Sequence, residues 1–249
     1  MKKIILLLNI AILAFGCKDA NSEKQATEVQ PEKTNEEMNP EKEWLTLFNG
    51  ENPDNWKAYN SDTITQWKIE DNALVFTPAE GEGSGSENLI SRDTFSSFEL
   101  ALEWRIPEVG NSGVMWAVQE EEKFNQPYLT GPEIQILDNQ QHPDARNGTM
   151  RQAGALYDLS APTEDVTKPA GEWNEMILKI NYRENLGTLV LNGKMINSFQ
   201  LHGKEWEELV RKSKFSDWEA FGKARSGHIA LQDHGDKVWF RNIRIRALE

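Results

Sequence analysis

The sequence predicts an all-β domain, with two antiparallel sheets packed as a sandwich or jelly roll. Three observations carry this. Phe98, Leu100, Leu102, Trp104 and Ile106 alternate with Glu99, Ala101, Glu103 and Arg105, the two-residue period of a strand with one buried face. Short apolar runs of the same kind recur, separated by turn residues such as Asp71-Asn72 and Asn192-Gly193. A single segment, Lys204 to Ser213, has apolar residues at helical spacing, and it reads as one short inserted helix carrying Trp206, Leu209 and Val210.

In chain order, residues 1–16 read as an export signal. Met1-Lys2-Lys3 gives positive charge, and Ile4 to Phe15 is an apolar run too short to span a bilayer comfortably. Cys17 follows Gly16 and is the chain's single cysteine. The stretch Leu13-Ala14-Phe15-Gly16-Cys17 resembles a lipobox, which implies a mature chain beginning at a lipidated Cys17 and anchored to a membrane. A plain secreted protein with a dispensable thiol is the alternative. The expected location is the bacterial cell envelope, either periplasmic or on the outer-membrane surface. Residues 17–43 are rich in Glu, Lys, Asn and Gln and have no aromatic residue. They bury too little apolar area to offset chain entropy, so they read as a disordered acidic tether. Residues 44–249 form the folded domain, which holds all 9 Trp and all 4 Tyr.

Within that domain, Trp67 to Phe76 reads as a hairpin around Asp71-Asn72. Pro107 ends the strand that starts at Phe98. Met176, Leu178 and Ile180 alternate in a further strand. Thr188 to Leu191 and Lys194 to Ile196 flank Asn192-Gly193 as a second hairpin. In the last strand Val238 and Phe240 have even parity, whereas Ile243 and Ile245 have odd parity. That slip predicts a bulge or bend at Arg241-Asn242. The formal net charge of −13 argues against nucleic acid and polyanionic glycans as partners. A neutral sugar is compatible with it.

The segment Glu133-Ile134-Gln135-Ile136-Leu137-Asp138 puts two carboxylates and an amide into an apolar, β-prone stretch. In a plain strand Glu133 and Gln135 share one face, while Ile134 and Ile136 enter the core. Asp138 has the opposite parity to Glu133. A one-residue bulge after Gln135 would turn Asp138 toward Glu133. Two acids so placed suit a carbohydrate-active enzyme. The alternative is a half-buried strand with a polar outer face, ending in an Asx turn at Asp138-Asn139. Near the C-terminus, Ile229 and Leu231 point one way, while His228, Gln232 and His234 point the other. A solvated edge strand is the alternative there.

Several stretches, taken in order, resemble the 3-keto-disaccharide hydrolase domain family. They are Leu47-Phe48-Asn49-Gly50 with Trp56, Asn111-Ser112-Gly113-Val114, Gly131 to Asn139, Ala153-Gly154-Ala155-Leu156-Tyr157, Pro169 to Asn174, Ser213-Lys214-Phe215, and Gly227 through Arg246. The resemblance implies a concanavalin A-like, laminarinase-like jelly roll. It also implies an exported lipoprotein acting on an oxidised, 3-keto neutral sugar. The Glu133 strand is similar to the acid strand of laminarinase-type glycosidases, but it reads E-x-Q-x-x-D where those read E-x-D-x-x-E. Gln135 cannot ionise and Asp138 is shorter than Glu, so an ordinary retaining mechanism is not expected.

The family instead implies elimination followed by hydration. A ketone at C3 acidifies the hydrogen on C2, a base removes it, and the enolate expels the anomeric substituent. On that route Glu133 is expected as base or metal ligand, and Asp138 or His234 as acid. Gln135 and Gln232 would hold sugar hydroxyls and Trp116 would stack on a ring. Asn111, His142, Arg151 and Tyr157 are further substrate-binding candidates. Trp116 and Tyr157 also admit a core reading. The enolate would be stabilised by a divalent metal ion on Glu133, Asp138 and His142, or by Arg151 or Arg105. Some relatives carry an Arg soon after Asn-Ser-Gly and a His before the later Asn-Gly turn. Here those places read Trp116 and Leu189-Val190-Leu191. A partner oxidoreductase is expected to supply the ketone. The competing readings are a non-catalytic carbohydrate-binding module and a structural module of a surface complex.

Overall fold

The computed structural model describes residues 43–78 and 87–248. The expected export signal, Cys17 and the tether up to residue 42 lie outside the described residues. The strands are β1 (Leu45–Phe48), β2 (Trp56–Ala58), β3 (Trp67–Glu70), β4 (Ala73–Phe76), β5 (Leu89–Ser91), β6 (Phe98–Arg105), β7 (Asn111–Val118) and β8 (Glu133–Leu137). They continue as β9 (Asn174–Asn181), β10 (Leu186–Leu191), β11 (Lys194–Phe199), β12 (His228–Leu231) and β13 (Val238–Ala247), with the helix α1 at Lys204–Lys212.

Two antiparallel sheets result. The larger has the order β11-β10-β9-β6-β13-β4-β3, with β1 added on β13, and the smaller runs β2-β5-β12-β7-β8. This is the sandwich that the alternation predicts. The inward residues of β6 are Phe98, Leu100, Leu102 and Trp104. They meet Val114 and Trp116 of β7, Ile134 and Ile136 of β8, and Ile229 and Leu231 of β12 in one core. Parity therefore turns Glu133, Gln135, Gln232 and His234 toward the opposite face of the small sheet.

The local signals hold where they rest on backbone chemistry. Asp71 and Asn72 take φ of 50° and 60° in the β3–β4 turn, and Asn192 and Gly193 take 51° and 81° in the β10–β11 turn. The parity slip in β13 is a bulge: pairing with β6 shifts between Arg241 and Arg244, and Asn242 has φ of 52°. There β13 also changes neighbour on its other side, from β4 at Val238–Phe240 to β1 at Ile243–Ile245.

The bulge expected in β8 is absent. β8 pairs with β7 in unbroken register from Asn111↔Leu137 to Met115↔Glu133. The small sheet's irregularity sits in β7 instead, where Ala117 has φ of 54° and the pairing with β12 shifts. Asp138 therefore keeps its odd-man parity, with Ile136 and away from Glu133.

α1 buries Trp206, with Leu209 and Val210 half-buried beside it. Trp206 stacks on Phe221, and Phe221 stacks on Phe215 at 3.9 Å between ring centroids. Trp218 meets Phe215 edge-on at 4.9 Å. The helix thus props an aromatic wall beside the small sheet.

Candidate active site

That wall and the outward face of the small sheet enclose a cleft of about 370 Å³. Glu133 and Gln135 come from β8, Asn111 from β7, and Gln232 and His234 from the residues just beyond β12. Phe215, Trp218, Phe221 and Tyr128 form the aromatic side, with Tyr157 and Lys214 at the junction. The volume suits a sugar-sized ligand.

Tyr157 reaches the cleft because residues 153–157 run along the free edge of β8. Gln135 N–H donates to Ala155 O, Gly154 N–H to Gln135 O, and Tyr157 N–H to Glu133 O. The edge is thereby paired. Gln135 is 3% exposed and its amide donates to Asn111 Oδ1 at 3.3 Å, so the two polar floor residues fix one another. Gly113 completes the floor. A Cβ there would collide with Glu133 Oε1, so the Glu133 carboxyl lies across the bare backbone of β7.

Burial pushes the Glu133 carboxyl up to about 8. The Lys214 charge and the Gln232 amide pull it down without cancelling that effect, and Asp144 adds to the rise. A carboxyl poised in this range exchanges a proton readily at neutral to mildly basic pH. Behind Tyr157 stands a paired network. Tyr157 Oη donates to Asp144 Oδ2 at 2.9 Å, and Arg151 Nη1 donates to Tyr157 Oη at 3.0 Å and to Asp144 Oδ1 at 3.3 Å. Arg151 Nη2 also reaches Asp158 Oδ1 at 3.3 Å. Burial works to raise Asp144, but hydrogen bonds from Asn147 and Tyr157 and the Arg151 charge outweigh it and hold the carboxyl below its usual range. Burial and then the hydrogen bond to Asp144 hold the Tyr157 phenol above its usual range.

Several expected site residues stand elsewhere. Asp138 is 7% exposed and faces away from the cleft. Its carboxylate accepts from Val109 N–H at 2.8 Å, Gln140 N–H at 3.1 Å and Gln141 N–H at 3.4 Å. It closes a turn, as the Asx reading has it, and does not pair with Glu133. Trp116 is 1% exposed and stacks on Phe199 in the core, so it offers no ring face to a sugar. His142 caps the 3₁₀ turn Pro143–Asn147, with Nδ1 accepting from Asp144 N–H at 3.1 Å. His228 Nδ1 lies 2.6 Å from Ser91 O. Arg105 lies on the far sheet between the rings of Trp173 and Trp239. Arg151 supports Tyr157 from behind and does not line the cleft. The trio Glu133, Asp138 and His142 is not brought together, and among the described residues no group of three His, Cys, Asp or Glu side chains is placed to hold a metal ion.

The cleft does unite Glu133, Gln135, Asn111, Gln232, His234 and Tyr157. Sequence reasoning missed Lys214, Asp144 and the aromatic wall. Lys214 and Phe215 lie in a stretch that carries the family resemblance, and that was the one available signal.

A jelly roll with an acid, three amides and an aromatic wall in one cleft has the make-up of a carbohydrate-active protein. Residues 43–246 match the family described as the 3-keto-alpha-glucoside-1,2-lyase-like domain, and the chain belongs to that family. A Bacteroides thetaiotaomicron protein named 3-keto-disaccharide hydrolase is 36% identical over 233 residues, covering 83% of this chain and 79% of that protein. Two crystal structures from Parabacteroides distasonis ATCC 8503, both provisionally named glycosyl hydrolases, have TM-scores of 0.76 and 0.62 at 28% and 26% identity. Each covers 83% of this chain, and 94% and 100% of the respective solved chains.

Proposed function

We propose that this chain is an enzyme that cleaves 3-keto-glycosides by elimination and hydration, with Glu133 moving the proton at C2. One observation carries the reading: a half-buried carboxyl, raised by desolvation to about 8, on the floor of a cleft sized for a sugar. The family membership and the relative named 3-keto-disaccharide hydrolase support the substrate class.

Ionised Glu133 takes the C2 hydrogen as a proton, and the electron pair passes to the C3 oxygen as an enolate. The enolate re-forms the ketone, making a C1–C2 double bond and breaking the bond from C1 to the leaving oxygen. His234, in the cleft, protonates that oxygen. Water then adds at C1 and gives a proton back to His234, while Glu133, its carboxyl proton exchanged with solvent, delivers a proton to C2. Asn111, Gln135 and Gln232 hold hydroxyls, and the rings of Phe215 and Trp218 cover an apolar sugar face.

A reaction that oxidises C3 of the glycoside must precede this one, and a partner oxidoreductase would supply it. The leader at 1–16 and the lipobox-like sequence before Cys17 support export and lipid anchoring in the cell envelope. Replacing Cys17 with Ser would then release the protein from the membrane fraction.

The test is to incubate the full chain with 3-keto-glucosides and with plain glucosides, with and without chelator. Turnover of the keto substrates, with solvent deuterium incorporated at C2, is the expected result. Turnover of plain glucosides alone would refute the elimination route. Binding of keto sugars without turnover would instead favour the carbohydrate-binding reading.

A further inference from the structure

Removing the C2 proton sends negative charge to the neighbouring C3 oxygen. A site that does this needs a hydrogen-bond donor or positive charge beside its base. The arginines suggested by the sequence are engaged elsewhere. Arg105 lies between two tryptophans on the far sheet. Arg151 is held by the carboxylates of Asp144 and Asp158, so its charge is compensated.

Lys214 differs from both. It lines the cleft with Glu133, and no carboxylate pairs with its ammonium among the described residues. Its backbone N–H donates to Asp158 Oδ2 at 2.9 Å, which ties the residue to the Arg151 network. Its Nζ lies 4.2 Å from the centre of the Tyr157 ring and 5.1 Å from that of Phe215. Tyr157 is itself fixed to Glu133 through the backbone. An ammonium with no carboxylate at ion-pair distance among the described residues therefore lines the same cleft as the proposed base, in a chain of net charge −13.

We infer that Lys214 is the residue that receives the C3 oxygen of the ketosugar and stabilises the enolate, so that the site selects ketones over ordinary glycosides. The inference rests on the C2-proton reading above. C2 and C3 are adjacent atoms, and base and cation line one cleft, where each feels the other's charge. An ordinary glycoside has a hydroxyl at C3, which develops no such charge. Half-burial holds the ammonium below the usual lysine range, Glu133 pulls it up, Arg151 pushes it down, and Asp158 and Asp144 pull it up. Partial desolvation strengthens the hydrogen bond an ammonium gives to an enolate oxygen.

The experiment compares Lys214→Met and Lys214→Arg with the wild type in the full chain, on a 3-keto-glucoside. The Met variant should lose kcat by about 10²–10³-fold with a much smaller change in KM, the size seen when one donor to a developing oxyanion is removed. Deuterium exchange at C2 should fall in parallel. The Arg variant should keep more activity, and the basic limb of its pH–rate profile should move upward, because guanidinium does not deprotonate in this range. If Lys214 merely covers the Tyr157 ring, Lys214→Met keeps kcat within about threefold while melting as the wild type does, and the assignment is overturned. A substrate-mass adduct on Lys214 after borohydride treatment also overturns it, since the lysine would then act as an imine-forming nucleophile. Failure of the underlying reading is distinguishable: it appears with Lys214 intact, as an inactive wild type or a fully active Glu133→Gln.

Discussion

Glu133 and Asp138 belong to the same short stretch of chain, the first half-buried and the second buried, yet their surroundings differ in kind. Asp138 faces the turns at the end of the sandwich, and three backbone N–H groups satisfy its carboxylate. Glu133 faces the cleft, lies over Gly113 and pays for burial with a carboxyl raised to about 8. One acid is anchored and the other is poised. Burial alone does not mark a working carboxylate. The mark is burial beside an open volume with too few donors to hold the charge. Arg151 and Lys214 repeat the contrast among cations: the first sits in direct ion pairs with two carboxylates, and the second, over the Tyr157 ring, has none among the described residues.

The largest effect that would sharpen this contrast comes from Glu133→Gln. Turnover of a 3-keto-glucoside should fall by about 10³-fold, within the span of general acid–base catalysis. The wild-type rate should rise as pH climbs through about 8, where Glu133 ionises, and the Gln variant should lack that limb. Stability should move the opposite way. Because the folded state raises this carboxyl from 4.5 to about 8, its contribution is fully present below pH 4.5 and fades as pH rises toward 8. Thermal melts should therefore show Glu133→Gln more stable than wild type above pH 8 and equal to it below pH 4.5. Equal melting at both extremes would show that the carboxyl is not buried at a cost.

Gly113→Ala ranks next. The added methyl displaces the Glu133 carboxyl without touching its chemistry, and kcat should fall about 10- to 100-fold through misplacement. Unchanged steady-state kinetics would mean that the carboxyl's position over β7 does not matter.

Asp138→Ala should have the smallest effect on activity, with kcat within about twofold of wild type, because no atom of Asp138 lines the cleft. It should instead cost about 1–2 kcal/mol through the orphaned N–H groups, read as a lower denaturant midpoint. A collapse of kcat in well-folded Asp138→Ala would erase the distinction between the two acids.

The sequence by itself determined the sandwich, because strand alternation, turn residues and helix spacing are local properties that follow from backbone geometry. The period-two runs at Phe98–Arg105 and Asn174–Asn181, the Asn192-Gly193 turn and the β13 bulge at Asn242 were all legible. Parity also put Glu133, Gln135, Gln232 and His234 on one face, and the cleft gathers them. Tertiary structure alone decided which polar groups share that cleft. Whether β8 carried a bulge depended on its pairing with β7, and the unbroken register kept Asp138 away. Trp116 could serve sugar or core until the partner at Phe199 was known. Lys214, Trp218 and Phe221 are brought to Glu133 by a segment far along the chain, and no periodicity encodes an approach that packing across the fold creates.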